Sequence, residues 1–292
     1  MTFAWSVLAL FILAGIAVCL FGSFEITRIP FLAVPYTPRD MGWPSEEIAF
    51  ESFDGLRLTG WFVPAPRPSP VTIVILHGVG SNAGDMILNT LCLYGGPWNL
   101  FYFNFRGHGG SEGRWTSLGP LELKDLEKAL DFLKTHKPEA SRRLGIYGHS
   151  LGAAVAIVGA ARRPELAAVA AESSFASAAR TIRRFSWVFY GIPYFPFVPI
   201  ALAAASLRLG CRIGGFAPVQ EIGRIAPRPL FLIQAERDAR MPLSDAQEIF
   251  EAAGEPKQLW IAPGADHGEP WMVDKEDYDR RLRGFFDDVF AS

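Results

Sequence analysis

The sequence predicts an α/β fold: a mostly parallel central sheet with crossover helices, an N-terminal hairpin and an inserted apolar cap. Three observations carry that expectation. Short runs of β-branched and aromatic residues alternate with helical periods along most of the chain. A G-x-S-x-G stands between one such run and a helix-compatible stretch, and an acid and then a histidine follow two later runs.

Composition sets the scale. Of 292 residues, 50% are hydrophobic and 20% charged, with 22 prolines and 28 glycines, which fits one large domain with a sizeable core and many turns rather than disorder. A formal net charge of -2 without a basic, aromatic-interleaved stripe argues against nucleic acid as a partner. Cys19, Cys92 and Cys211 have neither metal-site spacing nor a disulfide pattern and read as ordinary buried thiols.

Residues 1-24 are expected to form a transmembrane anchor. No charge occurs from Phe3 to Phe24, and as a helix that run reaches ~33 Å, about a bilayer's hydrocarbon thickness. A cleaved signal peptide is the competing reading, but nothing basic precedes Phe3. Val18 is too bulky for the small residue that precedes a lipidated cysteine, which disfavours a lipoprotein signal at Cys19. Arg28 and Arg39 favour a cytoplasmic C-terminal domain, yet Glu25 and Asp40 sit beside them, so the side of the membrane stays open.

Residues 25-46, punctuated by Pro30, Pro35, Pro38 and Pro44, read as an extended linker or edge-packing arm before a folded domain at 47-292. Alternation in Ile48 to Phe53 and Leu56 to Val63 around Asp54-Gly55 predicts the hairpin. Further strands are expected at Val71 to Leu76, Asn99 to Phe105, Arg143 to Tyr147, Ala167 to Ala171, Leu230 to Gln234 and Gln258 to Ile261. Leu126, Ala129, Leu130 and Leu133 mark a crossover helix that leaves Glu122, Lys124, Asp125, Glu127 and Lys128 to solvent. An aromatic, proline-broken stretch interrupts the rhythm at about 175-218 and reads as a cap, since prolines at 193, 196 and 199 would disrupt a second membrane span.

The chemistry gathers around Gly148-His149-Ser150-Leu151-Gly152, which follows a strand and precedes Ala153 to Ala161. Such an elbow presents the serine hydroxyl on a strained turn, and side chains at the flanking glycines would collide with neighbouring elements. Asp238 lies in the loop after Leu230 to Gln234, with Glu236 and Asp245 as rivals; His267 follows Gln258 to Ile261 and is the only one of five histidines beyond Ser150. Taken singly, His267 reads equally as a loop histidine and Asp238 as a turn or capping acid. Their joint order after the elbow nominates Ser150, Asp238 and His267 as a catalytic triad. The Gly-rich loop at His77-Gly78-Val79-Gly80-Ser81 nominates the backbone amides of Val79 and Leu151 as an oxyanion hole, with His77, His108 and His149 structural.

From about Ile48 onward, these residues resemble the α/β-hydrolase superfamily, and look closest to its membrane-associated α/β-hydrolase-domain (ABHD-type) branch. The resemblance also takes in Arg106-Gly107-His108-Gly109-Gly110-Ser111-Glu112-Gly113, the loop ending Met241-Pro242 and the terminal Gly264-Ala265-Asp266-His267. It implies the α/β-hydrolase fold, a structural ion pair for Arg106 and no fixed substrate, because esterases, thioesterases, lipases and peptidases share the triad. The expected function is hydrolysis of an ester or thioester acyl bond of a lipophilic substrate through an acyl-enzyme, without metal or organic cofactor. The alternatives are a serine peptidase or amidase of the same fold and a non-catalytic homologue that binds lipid or protein through its aromatic cap. Since the base must be neutral, activity is expected to rise through about pH 6 to 7.

Overall fold

The computed structural model describes residues 2–30 and 32–290; Met1, Phe31, Ala291 and Ser292, which fall within the 1-24, 25-46 and 47-292 segments, lie outside the described residues. The chain opens with helix α1 (Thr2–Glu25) and then the hairpin β1 (Glu46–Glu51) and β2 (Arg57–Val63). Six more strands follow: β3 (Val71–Leu76), β4 (Asn99–Phe103), β5 (Arg143–His149), β6 (Leu166–Glu172), β7 (Leu230–Ala235) and β8 (Lys257–Ala262). The helices between and after them are α2 (Asp85–Asn89), α3 (Pro120–His136), α4 (Leu151–Arg162), α5 (Ala178–Tyr190), α6 (Phe197–Leu209), α7 (Pro218–Glu221), α8 (Leu243–Ala252), α9 (Pro270–Val273) and α10 (Lys275–Phe290).

The strands form one sheet in the order β1-β2-β4-β3-β5-β6-β7-β8, with β1, β2 and β4 paired antiparallel and the rest parallel. This is the predicted mostly parallel sheet with an N-terminal hairpin. The hairpin closes at Asp54-Gly55, where Gly55 takes φ +86°, a conformation that a Cβ would strain. Every residue of β3 and β4 is buried, as expected for central strands covered on both faces. One face packs under α3 and α4 through Leu126, Leu130 and Val155, and the other under α10 through Tyr278, Leu282 and Phe286.

Two departures in α3 have a clear cause. Leu126, Ala129, Leu130 and Leu133 face the core as expected, but Glu122 and Asp125, which helical spacing assigned to solvent, are buried. Glu122 accepts hydrogen bonds from Thr116 Oγ1, Ser117 and the Gly119 amide, tying the loop before α3 to its first turn. Asp125 meets Arg106 at 2.7 Å, with Asp54 of the hairpin turn on the far side of that guanidinium at 2.9 Å. Partners distant in sequence make these acids burial-competent, and periodicity alone does not reveal them.

The thiols also differ in degree from expectation. Cys19 is buried, but Cys92 and Cys211 are only half-buried, and all three are free. Burial still pushes the Cys92 thiol up to about 12.

The chain between β6 and β7 forms the helices α5, α6 and α7. Trp187, Phe189, Tyr190, Tyr194 and Phe195 are exposed on this unit. Among the described residues one helix, Phe3–Glu25, is long and apolar enough to cross a membrane; α6, also apolar, is shorter. The stretch after α1 is packed on the domain. The Thr116 amide donates to Thr27 O, Arg28 bridges to Trp115, Asn82 Nδ2 donates to Ala33 O at 3.3 Å, and Trp43 stacks on Tyr94 at 4.1 Å.

Candidate active site

Ser150 sits at the end of β5 where the chain turns abruptly into α4. Its φ of +56° and ψ of −115° form a backbone conformation rare for a residue with a side chain. The flanking glycines are obligatory: a Cβ at Gly148 would lie 2.2 Å from Gly152 O, and one at Gly152 would lie 2.5 Å from Leu76 O. The elbow therefore depends on bare backbone on both sides. Leu151 opens α4, so its N–H lies in a first turn that has no intrahelical acceptor to offer it.

The loops after β7 and β8 bring the other two nominated side chains to the same rim of the sheet. His267 Nε2 is 3.1 Å from Ser150 Oγ, and His267 Nδ1 is 2.6 Å from Asp238 Oδ2. The second Asp238 oxygen accepts from the Arg240 and Met241 amides at 2.9 and 2.7 Å. Burial raises the Asp238 pKa, but His267 and these two amides outweigh it and hold the carboxyl below its usual range. The rivals are engaged elsewhere: Glu236 accepts from the Gly264 amide, and Asp245 accepts from the Ala176 amide.

Two buried histidines shape the Gly-rich loop. The Phe105 amide donates to His77 Nε2 at 3.0 Å, which leaves the Nδ1 proton for Gly78 O at 2.8 Å. Burial, then the neighbouring His108, holds the His77 pKa well below its ordinary value, so the ring is neutral. The Gly80 amide likewise donates to His108 Nε2 at 3.2 Å. With Gly78 and Gly80 fixed in this way, Val79 between them lines the cavity above Ser150, as does Leu151.

One cluster escaped the sequence reading. His149 and Glu172 are paired across β5 and β6, with His149 Nδ1 3.2 Å from Glu172 Oε1. Tyr147 and Tyr278 donate to Glu172 Oε2 at 2.9 and 2.8 Å, and the His149 ring lies 5.2 Å from that of His267. Full burial raises the Glu172 pKa, but His149 and the two phenols prevail and keep it lowered. The sequence signal was a lone acid ending the apolar run Leu166–Glu172.

A carboxylate of depressed pKa stabilises the fold fully above its ordinary value and ceases to do so as pH falls through the folded value. Glu172→Gln should therefore cost about 1–3 kcal/mol at neutral pH. The wild-type advantage should shrink below about pH 4. Urea unfolding of both proteins at pH 7 and pH 3.5 checks this, and an advantage independent of pH would show that Glu172 is not ionised.

The cavity over Ser150 encloses ≈ 600 Å³, within the range of small-molecule sites. Its walls come from the Gly-rich loop after β3, α5, α6 and the end of α1. Among the described residues, no group of three or more His, Cys, Asp or Glu is placed to hold a metal ion.

A β5–serine–α4 elbow on a sheet of this order defines an α/β hydrolase. Residues 98–188 match the family model described as X-Pro dipeptidyl-peptidase (S15 family). The chain is 29% identical over 254 residues to the YqkD protein of Bacillus subtilis, covering 82% of this chain and 83% of that one. It is 29% identical over 175 residues to the alpha/beta hydrolase domain-containing protein WAV2 of Arabidopsis thaliana, 57% of this chain and 56% of the relative. The Pyrococcus furiosus esterase Pf2001 superposes with a TM-score of 0.74 at 27% identity, over 90% of this chain and 99% of that chain. The chain is an α/β hydrolase in fold, with hydrolases for relatives; the similarity reaches the superfamily and does not single out the ABHD-type branch.

Proposed function

We propose that the protein is a serine hydrolase that cleaves the acyl bond of a lipophilic ester or thioester, with residues 1-24 as a membrane anchor, 25-46 as a packed arm and 47-292 as the hydrolase domain capped at about 175-218. The observation that carries this reading is the unbroken Ser150–His267–Asp238 chain of contacts, at 3.1 and 2.6 Å, on the floor of a largely apolar cavity.

In this mechanism His267 Nε2 takes the Ser150 proton as Oγ attacks the carbonyl carbon, and Asp238 holds the Nδ1–H tautomer and stabilises the imidazolium. The Val79 and Leu151 amides receive the oxyanion of the tetrahedral intermediate. His267 then returns its proton to the leaving alkoxide or thiolate, which departs as the acyl-enzyme forms. Water, deprotonated by the same imidazole, releases the carboxylic acid and restores Ser150.

A peptidase reading is favoured by the S15-family match over 98–188. It differs only in the leaving group, so a comparison of 4-nitrophenyl acyl esters with Xaa-Pro anilides separates the two. The serine itself is tested by treating membranes with a fluorophosphonate probe: labelling of the wild type and none of Ser150→Ala is expected. Folded wild type that takes no label would point to a catalytically silent binding protein.

A further inference from the structure

The last turns of α1 are seated on the cap. Gly15, Cys19 and Gly22 recur at helical spacing on one face, Cys19 is buried, and a Cβ on Gly22 would stand 3.3 Å from the Ala201 methyl of α6. Small residues let two helices approach this closely, whereas a simple tether requires only hydrophobicity. Polar contacts lock the end of the seat. Arg208 of α6 donates to Ser23 O at 2.9 Å and to Thr27 Oγ1 at 2.6 Å, with its guanidinium over the Phe24 and Trp115 rings at 4.5 and 4.6 Å. From α5, Tyr190 donates its hydroxyl proton to Glu25 Oε2 at 3.3 Å.

This seating gives α1 a share of the cavity. Val18, Phe21 and Gly22 line it together with Phe185 of α5, Val198 of α6 and Ser150. Further out on α1, Leu13 is exposed and does not touch the cavity. The wall is apolar along the turn from Val18 to Gly22 and becomes charged only at its end, where Glu25 pairs with Arg28 at 3.2 Å.

We infer that the Val18–Gly22 turn of α1 is part of the acyl-binding site, so that the N-terminal helix sets which acyl chains the enzyme accepts. The inference rests on the acyl-hydrolase reading above and deepens it: the substrate is a medium- or long-chain acyl ester or thioester whose hydrocarbon lies between α1 and the cap helices. A short acyl group reaches Ser150 without meeting this wall, whereas a long one must run along it.

The test uses the full-length protein in lipid nanodiscs and 4-nitrophenyl esters from acetate to palmitate. Val18→Trp fills the cavity at the wall and is expected to lower the long-to-short ratio of kcat/KM by about tenfold or more. Leu13→Trp, on the same helix but outside the cavity, is expected to keep the wild-type ratio. A wild-type ratio in Val18→Trp overturns the inference.

Seating is read separately, without activity. In a Cys19→Ala background, Gly22→Cys with Ala201→Cys places two Cβ atoms near the ~3.5–4.5 Å that a disulfide spans, and oxidation should yield the cross-linked peptide pair by mass spectrometry. No cross-link in nanodiscs also overturns the inference. Wild type that neither takes a fluorophosphonate label nor turns over any ester sinks the hydrolase reading instead, and the acyl-site assignment falls with it even if the cross-link forms.

Discussion

His267→Ala is expected to lower ester turnover by about 10⁶-fold, close to the loss from removing Ser150, because nucleophile and base act as one unit. Asp238→Asn should cost less, roughly 10⁴-fold, by leaving the imidazole in the wrong tautomer rather than removing it. Both expectations follow from the linear arrangement in which His267 Nε2 meets Ser150 Oγ and Nδ1 meets Asp238 Oδ2. Asp238 keeps its Arg240 and Met241 amides when the ring is gone. The variant should therefore remain folded by circular dichroism. Hydrolysis of a 4-nitrophenyl ester under single-turnover conditions is the measurement, and a loss below about 100-fold would remove His267 from the proton path.

The second large effect concerns stability. Arg106 joins the loop after β4 to α3 through Asp125 and to the hairpin turn through Asp54. Burial holds the Asp125 pKa above the ordinary carboxylate range even with Arg106 and Ser52 bonded to it. Arg106→Met would strip the main counter-charge from a carboxylate that is fully out of water, at a cost of about 3–5 kcal/mol. Adding Asp125→Leu should recover much of that loss, because the penalty lies in the orphaned charge and not in the absence of the pair. Chemical denaturation of the single and double variants checks both steps; an unrescued double variant would mean that the guanidinium acts through packing.

Much of the scaffold was legible because local chemistry and global architecture agree. Most strand runs are rich in β-branched or aromatic residues, Asp54-Gly55 selects a hairpin turn, and Gly148 and Gly152 are needed where the backbone passes within 2.2 and 2.5 Å of a would-be Cβ. The three nominated side chains followed from chain order, since loops after successive parallel strands open on one edge of the sheet. What stayed hidden depends on register and on faces. His149 and Glu172 are far apart in sequence and meet only because β5 and β6 pair residue for residue there. Glu122 and Asp125 look like surface acids until Gly119 and Arg106 are folded against them. The seat of α1 was masked because the helix is apolar on every side, so only Gly15, Cys19 and Gly22 mark the face that touches α6.

The stretch between α1 and the hairpin is fastened near both ends, by Thr27 and Arg28 against the Thr116 and Trp115 segment and by Trp43 on Tyr94. A catalyst on a loose leash sweeps a wide arc and samples whatever drifts through it. One bolted at fixed height beside its own mast does not. With α1 as the proposed membrane anchor, the mouth over Ser150 would stay at a constant level, and supply would depend on lateral traffic arriving there rather than on the reach of the chain.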